Sequence, residues 1–135
     1  MPNLQQQTST SDQAQMPPHQ SESLFIDVTD SAAFQQDEDW RTKGIARKPL
    51  VRYPDFHITL MAIKGGARIE EHHNPGRISV HTVKGHIRMH AAGQTFDLPQ
   101  GRVLVLDRRV RHDVEALEDS VFLLTAVLPG GQPSS

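Results

Sequence analysis

Short apolar runs separated by turn residues dominate the chain from Ile45 onward. The runs are rich in Val, Ile, Leu and Thr, and Gly, Pro, Asn or Asp lie between them at intervals of roughly ten residues, which is typical of an antiparallel sandwich or barrel. No interval between them is long enough for a crossover helix. We therefore predict an all-β fold with strands at residues 45–51, 56–63, 67–72, 78–83, 86–90, 95–98, 103–106, 112–117 and 121–127.

The part of the chain before these runs differs in composition. Residues 1–22 consist mainly of Gln, Ser, Thr and Pro, with too few apolar side chains to offset the entropy lost on ordering, so we predict a disordered tail. Residues 23–44 are predicted to form an N-terminal strand around Ile26 and a short helical turn at Phe34 that pack on the barrel. The barrel itself is predicted at 45–128, followed by a flexible C-terminus at 129–135.

The final run, 121–127, is apolar on both of its alternating faces. A half-solvated strand keeps one face polar, so something must cover the second face of this one. A second sheet, the N-terminal strand around Ile26 and a partner subunit could each do so. We predict that the chain is a homodimer.

Two histidines stand at fixed distances from turn glycines. Gly66 precedes His72 by six positions, and Gly101 precedes His112 by eleven. Because side chains alternate between the two faces of a strand, the count from a turn glycine decides which face each histidine occupies. We predict that both imidazoles face one interior pocket, and that Glu70 shares the face of His72.

The spacing of these residues resembles the two motifs of the cupins. The first runs through Gly66, His72, Asn74, Ile78 and Gly85, and the second through Gly101, Asp107, Arg109, His112 and Ala116. The resemblance covers residues from about 45 to 128. It implies a double-stranded β-helix, the jelly-roll barrel of RmlC-like proteins, with the two histidines near its axis.

In the metal-binding members of that family, three His and one Glu hold the ion. In this chain Asn74 stands at the second His position and Ile78 at the Glu position. An apolar Ile removes the charge that would neutralise a divalent cation, and Asn is a weak ligand for transition metals. The departure favours ligand binding without a metal.

We therefore expect a cupin that binds a small molecule, with no assigned activity. Arginines lead into His112, at the predicted barrel mouth, where they would attract carboxylate or phosphate groups. The predicted pocket residues are His72, Asn74, Ile78, Val80, Leu104, Arg109, Arg111 and His112.

Two other functions stay open. One is a metal-dependent enzyme that holds Fe, Mn, Zn or Ni with His72, His112 and Glu70 as a third ligand; the resemblance allows a dioxygenase, isomerase or decarboxylase acting on a small oxygen-rich substrate. The other is a non-catalytic dimeric interaction protein.

The composition of the chain limits the kinds of molecule that it is expected to bind. The net charge of −2 gives no basic surface for nucleic acid or an anionic membrane, and the absence of Cys leaves only nitrogen and oxygen as metal ligands. No apolar run follows basic residues near the start, so we expect a cytoplasmic protein with no membrane segment. The alternation of His86, Arg88 and His90 with Ile87 and Met89 predicts a solvated sheet face there.

Overall fold

The computed structural model describes residues 22–29 and 32–129. Residues 1–21 of the predicted tail, and nearly all of the predicted C-terminal segment, lie outside the described residues. The all-β prediction is confirmed, because each predicted strand is present with its ends moved by at most two residues. The strands are β1 (Ile45–Tyr53), β2 (Phe56–Ile63), β3 (Arg68–His72), β4 (Arg77–Lys84), β5 (His86–Ala91), β6 (Gln94–Pro99), β7 (Val103–Leu106), β8 (His112–Ala116) and β9 (Ser120–Val127).

The strands form two antiparallel sheets that face each other in a jelly roll. The five-stranded sheet has the order β1-β2-β9-β4-β7, and the four-stranded sheet has the order β3-β8-β5-β6. Apolar side chains from both sheets fill the space between them, among them Ile63, Val80, Ile87 and Met89, all of which are fully buried. Because Ile87 and Met89 face this interior, the intervening polar side chains of β5 lie on the outer face, as predicted.

The last strand, β9, contributes to two apolar clusters. Phe122 and Leu124 belong to the interior core, whereas Val121 and Leu123 belong to a second cluster on the outer face of the five-stranded sheet. The segment before β1 covers this second cluster with the side chains of Leu24, Ile26, Val28, Phe34 and Trp40. The N-terminal segment thus supplies the cover that the two-faced strand requires. The homodimer stays a prediction.

The strand predicted around Ile26 is wrong. Residues 22–29 pack their apolar side chains on the outer cluster but form no strand. The Thr29 backbone N–H and side-chain hydroxyl both donate to the Asp27 carboxylate, and such local bonds replace the pairing of a β-ladder.

Two helical pieces connect this segment to the barrel. A 3-10 helix at Ala32–Gln36 confirms the predicted turn. A short helix, α1 (Glu38–Lys43), was not predicted although its signals are present: the Asp37 carboxylate caps it, and Gly44 ends it in the left-handed conformation. Neither helix among the described residues has the length and apolar character needed to span a membrane.

Gly76 offers a test of how closely the turn before β4 packs against the end of β9. A Cβ on Gly76 would overlap the carbonyl oxygen of Val127, a backbone atom of β9 that is held in the sheet. We expect Gly76→Ala to lower the free energy of unfolding by about 3 kcal/mol, the upper end of the cost of an overpacked contact. Urea denaturation measures the loss.

Gly66→Ala is the matched control. Gly66 has a positive φ of 92°, but nothing lies within 4 Å of its Cβ position. Only backbone strain is introduced there, at about 1 kcal/mol. Equal losses in the two variants would contradict the packing at Gly76.

Candidate functional site

A pocket of about 460 Å³ opens between the two sheets. This volume suits a small organic molecule. The five-stranded sheet contributes a mainly apolar wall that also includes Arg47 and Thr59, and β3, β8 and the residues beside them contribute most of the polar side chains. The lining residues are Arg47, Thr59, Met61, Ile69, Glu70, Glu71, His72, Asn74, Val80, Met89, His112, Val114, Phe122 and Leu124.

His72 and His112 are brought together in this pocket, as the sequence predicted. They lie directly opposite each other on β3 and β8, with ring centroids 4.2 Å apart and an angle of 63° between the ring planes. His112 is buried, with 4% of its surface exposed, whereas His72 is exposed on the side of the pocket mouth. The pair therefore extends from the interior to solvent.

Hydrogen bonds to the backbone fix the tautomer of both rings. Nδ1 of His72 lies 2.9 Å from the carbonyl oxygen of Glu70, and Nδ1 of His112 lies 2.9 Å from that of Val110. A carbonyl oxygen only accepts, so each Nδ1 must carry the proton. In a neutral imidazole the remaining nitrogen, Nε2, is then an acceptor. In each ring it is thus Nε2, and not Nδ1, that remains for a ligand in the pocket.

The environment of His112 favours the neutral ring. Burial lowers the pKa of His112 below its ordinary value of 6.5, and the neighbouring His72 and His73 lower it further. The Val110 carbonyl and the Asp113 carboxylate act in the opposite direction but do not outweigh burial. His112 is consequently an uncharged acceptor at pH 7.

A β-bulge delivers His72 to the pocket. Ile69 lies opposite Val114 and His72 opposite His112, so three steps along β3 match two steps along β8. Ile69 packs against the interior core, and the extra residue of the bulge brings His72, three positions later, to the same face. Regular alternation would not do so. Glu70 lines the same pocket as His72, but the bulge, and not the simple alternation assumed from the sequence, sets the face of His72.

Glu70, the predicted third metal ligand, does not form a metal site with the two histidines. Within residues 22–29 and 32–129, no group of three or more His, Asp or Glu side chains is positioned to hold a metal ion. Glu70 lines the pocket, but it does not complete a ligand set with the two imidazoles. The donor set that the described residues provide therefore does not fit a divalent ion without further ligands.

The other predicted pocket residues divide into two groups. Asn74 and Val80 line the pocket. Ile78 and Leu104 do not: Ile78 is buried in the interior core, and Leu104 packs against that core half-buried. The alternation of side chains along the strands correctly predicted that both residues face the space between the sheets. The pocket occupies only part of that space, and these two residues lie in the part filled by the core.

The arginines of the loop before His112 do not line this pocket. Arg111 is exposed and lines a separate surface depression beside the β5–β6 turn. Arg109 is exposed and has a positive φ of 62°, and its backbone N–H donates to the carbonyl oxygen of Asn74 at 2.8 Å. Arg109 thus contributes a backbone hydrogen bond, which anchors the loop that carries Asn74.

Sequence reasoning missed the pocket residues on β1 and β2. Arg47 lies opposite Met61 on β2, and Met61 lies opposite Phe122 on β9; all three line the pocket. These strands lie before the first motif, so the glycine spacing gave no information about them. The alternation of Leu60, Met61 and Ala62 across two apolar faces was the available signal, but it does not give the register with β1.

On the outer face, β8 carries a buried carboxylate. Asp113 accepts from Arg68 at 2.7 Å and lies 2.6 Å from Nδ1 of His90, with 11% of its side chain exposed. Burial by itself raises the pKa of Asp113, but the hydrogen bond and charge of His90 and the charge of Arg68 outweigh it, so the pKa lies below its ordinary value. These contacts bind β8 to β3 and β5 directly behind His112.

Solved structures with the same architecture identify the fold. No protein-family model and no curated protein matches the chain. A conserved protein of unknown function from Streptococcus pyogenes is similar over 81% of this chain and 90% of its own, at 23% identity and a TM-score of 0.63. A cupin superfamily protein from Desulfitobacterium hafniense is similar over 63% and 78%, at 16% identity and a TM-score of 0.61.

Salicylate 1,2-dioxygenase from Pseudoaminobacter salicylatoxidans is similar over 64% of this chain and 27% of its own, at 15% identity and a TM-score of 0.60. The two packed sheets and their interior pocket define a small jelly-roll barrel. Its similarity to these structures makes it a cupin-fold domain, as the spacing of its glycines and histidines predicted. At these identities the comparisons establish the fold.

The lowered pKa of His112 predicts a pH dependence of stability. Below pH 6.5 the unfolded chain takes up a proton at this residue that the folded imidazole resists, so the free energy of unfolding falls as the pH falls from 6.5. We expect His112→Asn to reduce that fall between about pH 7.5 and 5. Urea denaturation at several pH values measures it.

His57→Asn provides the control, since His57 lies on β2 and lines neither the pocket nor the depression. The lowered pKa of Asp113 affects stability only below its ordinary value of 3.8, outside this window. A slope that is the same in His112→Asn, His57→Asn and the unsubstituted protein would contradict the assignment.

Proposed function

We propose that this cupin-fold domain binds a small molecule in the pocket between its sheets, with His72 and His112 as hydrogen-bond acceptors. The observation that carries the proposal is the pair of rings with both Nδ1 atoms bound to backbone carbonyls, so that both Nε2 atoms are left for a ligand. Two acceptors on one wall select a ligand whose polar end donates hydrogen bonds.

The remaining walls suit the apolar body of such a ligand. Met61, Val80, Met89, Val114 and Phe122 line the pocket, and each is at least 96% buried in the absence of a ligand. A ligand that contacts them removes its own apolar surface from water, at about 25 cal/mol for each Å². Affinity would thus come from the apolar walls and orientation from the two imidazoles.

A metal-dependent enzyme is the second candidate. It is favoured by the same tautomers, because histidines that ligate metals commonly donate their other ring N–H to a carbonyl. It is also supported by the similarity in fold to a dioxygenase. The donor set argues against it, since Ile78 and Asn74 leave two imidazoles without a carboxylate partner. A metal-dependent dioxygenase, isomerase or decarboxylase activity would require ligands beyond those that the described residues provide.

Phenol and anisole test the proposed binding. Both have an apolar ring of similar size, but only phenol has an O–H to donate to an imidazole Nε2. We expect phenol to bind about tenfold more tightly, the value of one good hydrogen bond, and the difference to disappear in the double variant His72→Ala, His112→Ala. Methyl NMR signals of Val80 and Val114 report binding in the pocket, while those of Val103 and Val105, exposed on β7, serve as controls.

Elemental analysis separates the two candidates. The protein is dialysed against Fe²⁺, Mn²⁺, Zn²⁺ or Ni²⁺ in turn and then against metal-free buffer. We expect far less than one equivalent of metal to remain, with phenol binding unchanged. One equivalent retained by the unsubstituted protein and lost in the double variant would favour the metal enzyme instead.

A further inference from the structure

Arg47 places a positive charge on the wall of the pocket that faces the histidines. Residues that lie opposite each other in an antiparallel pair share one face of the sheet, and Arg47 lies opposite Met61, which is buried in the interior core. The side chain of Arg47 therefore belongs to the inner face of β1. Because β1 is the edge strand of its sheet, the guanidinium group stands at the rim of the pocket and is exposed.

This guanidinium group has no carboxylate partner within the part of the chain that the structure describes. Arg41, Arg68, Arg77 and Arg88 each form an ion pair. A planar guanidinium with free donors matches a carboxylate or a phosphate and binds either with two parallel hydrogen bonds. At the edge of a mainly apolar wall, such a guanidinium group is suited to receive a negatively charged group of the ligand.

The opposite wall has the reverse polarity. His72 and His112 present acceptor nitrogens there, and Glu70 and Glu71 line the same pocket. These groups accept hydrogen bonds and favour positive charge or hydroxyl donors on the ligand. The two glutamates outnumber the single arginine and repel any anion, a phosphate of charge −2 more strongly than a carboxylate of charge −1. A carboxylate is therefore favoured over a phosphate, and only where it contacts Arg47 on the wall opposite the glutamates, while a donor group is favoured at the histidines.

We propose that the ligand is a small hydroxy acid or amino acid, held with its carboxylate on Arg47 and its hydroxyl or ammonium group at His72 and His112. This inference rests on the proposed function and adds the chemical class and the orientation of the ligand. Arg47 is then the residue that sets the specificity for an acid.

Matched probes test the carboxylate. 4-(Hydroxymethyl)benzoate and its primary amide have the same shape and the same hydroxyl donor, and differ in charge. We expect the acid to bind up to about fivefold more tightly than the amide, the effect of an ion pair with an exposed guanidinium group. Arg47→Gln should remove this difference by weakening the binding of the acid far more than that of the amide, and Arg47→Lys should restore part of it. Arg52→Gln, a change on the same strand that lies outside the pocket, should have no effect.

A third probe, 4-(aminomethyl)benzoate, distinguishes the two ligand sources. Tighter binding than the hydroxymethyl acid identifies an amino acid as the ligand class, and equal or weaker binding identifies a hydroxy acid. Equal affinity for acid and amide, or an acid preference that survives Arg47→Gln, would overturn the inference while the proposed function stands. If neither these probes nor phenol shifts the methyl signals of Val80 and Val114, the proposed function fails as well.

Discussion

The candidate site depends on one irregularity in strand pairing, the bulge in β3. With regular alternation, Ile69 and Glu71 would share the inner face, and His72 would point to solvent. The extra residue in β3 turns His72 inward, directly opposite His112 on β8. The bulge thus converts two separate strand residues into a pair of rings with centroids 4.2 Å apart. The same local geometry brings Nδ1 of His72 to the carbonyl oxygen of Glu70, which fixes the tautomer.

The strand β8 holds the other half of the pair by using both of its faces. His112 faces the pocket, and the next residue, Asp113, faces outward and binds Arg68 of β3 and His90 of β5. Those contacts connect the three strands around His112 from behind. A fixed imidazole loses little conformational entropy when a ligand binds, which is the advantage of a preformed site. The contacts of Asp113 on the outer face thus help to hold His112 in position on the pocket face.

The sequence indicated the strands and the two histidines for a clear physical reason. Turn glycines such as Gly66, Gly85 and Gly101 have positive φ, where L side chains are strained, so their positions mark the hairpins from which faces are counted. The position of the glycines did not predict the bulge in β3 or the presence of Arg47 in the pocket. A bulge depends on how two strands distant in the chain pair with each other, and Arg47 enters the pocket through its register with Met61. Neither register is encoded in the spacing of a single strand.

The structure places His72 and His112 in one pocket, each with its Nδ1 bound to a backbone carbonyl. Long-range ¹H–¹⁵N correlation NMR on the labelled protein at neutral pH tests it directly, with His72→Asn and His112→Asn variants to assign the signals. We expect a protonated Nδ1 in both rings, an unprotonated Nε2 in His112, and a nuclear Overhauser effect between the two rings. An unprotonated Nδ1 in either ring, or two rings with no Overhauser contact, would contradict this arrangement.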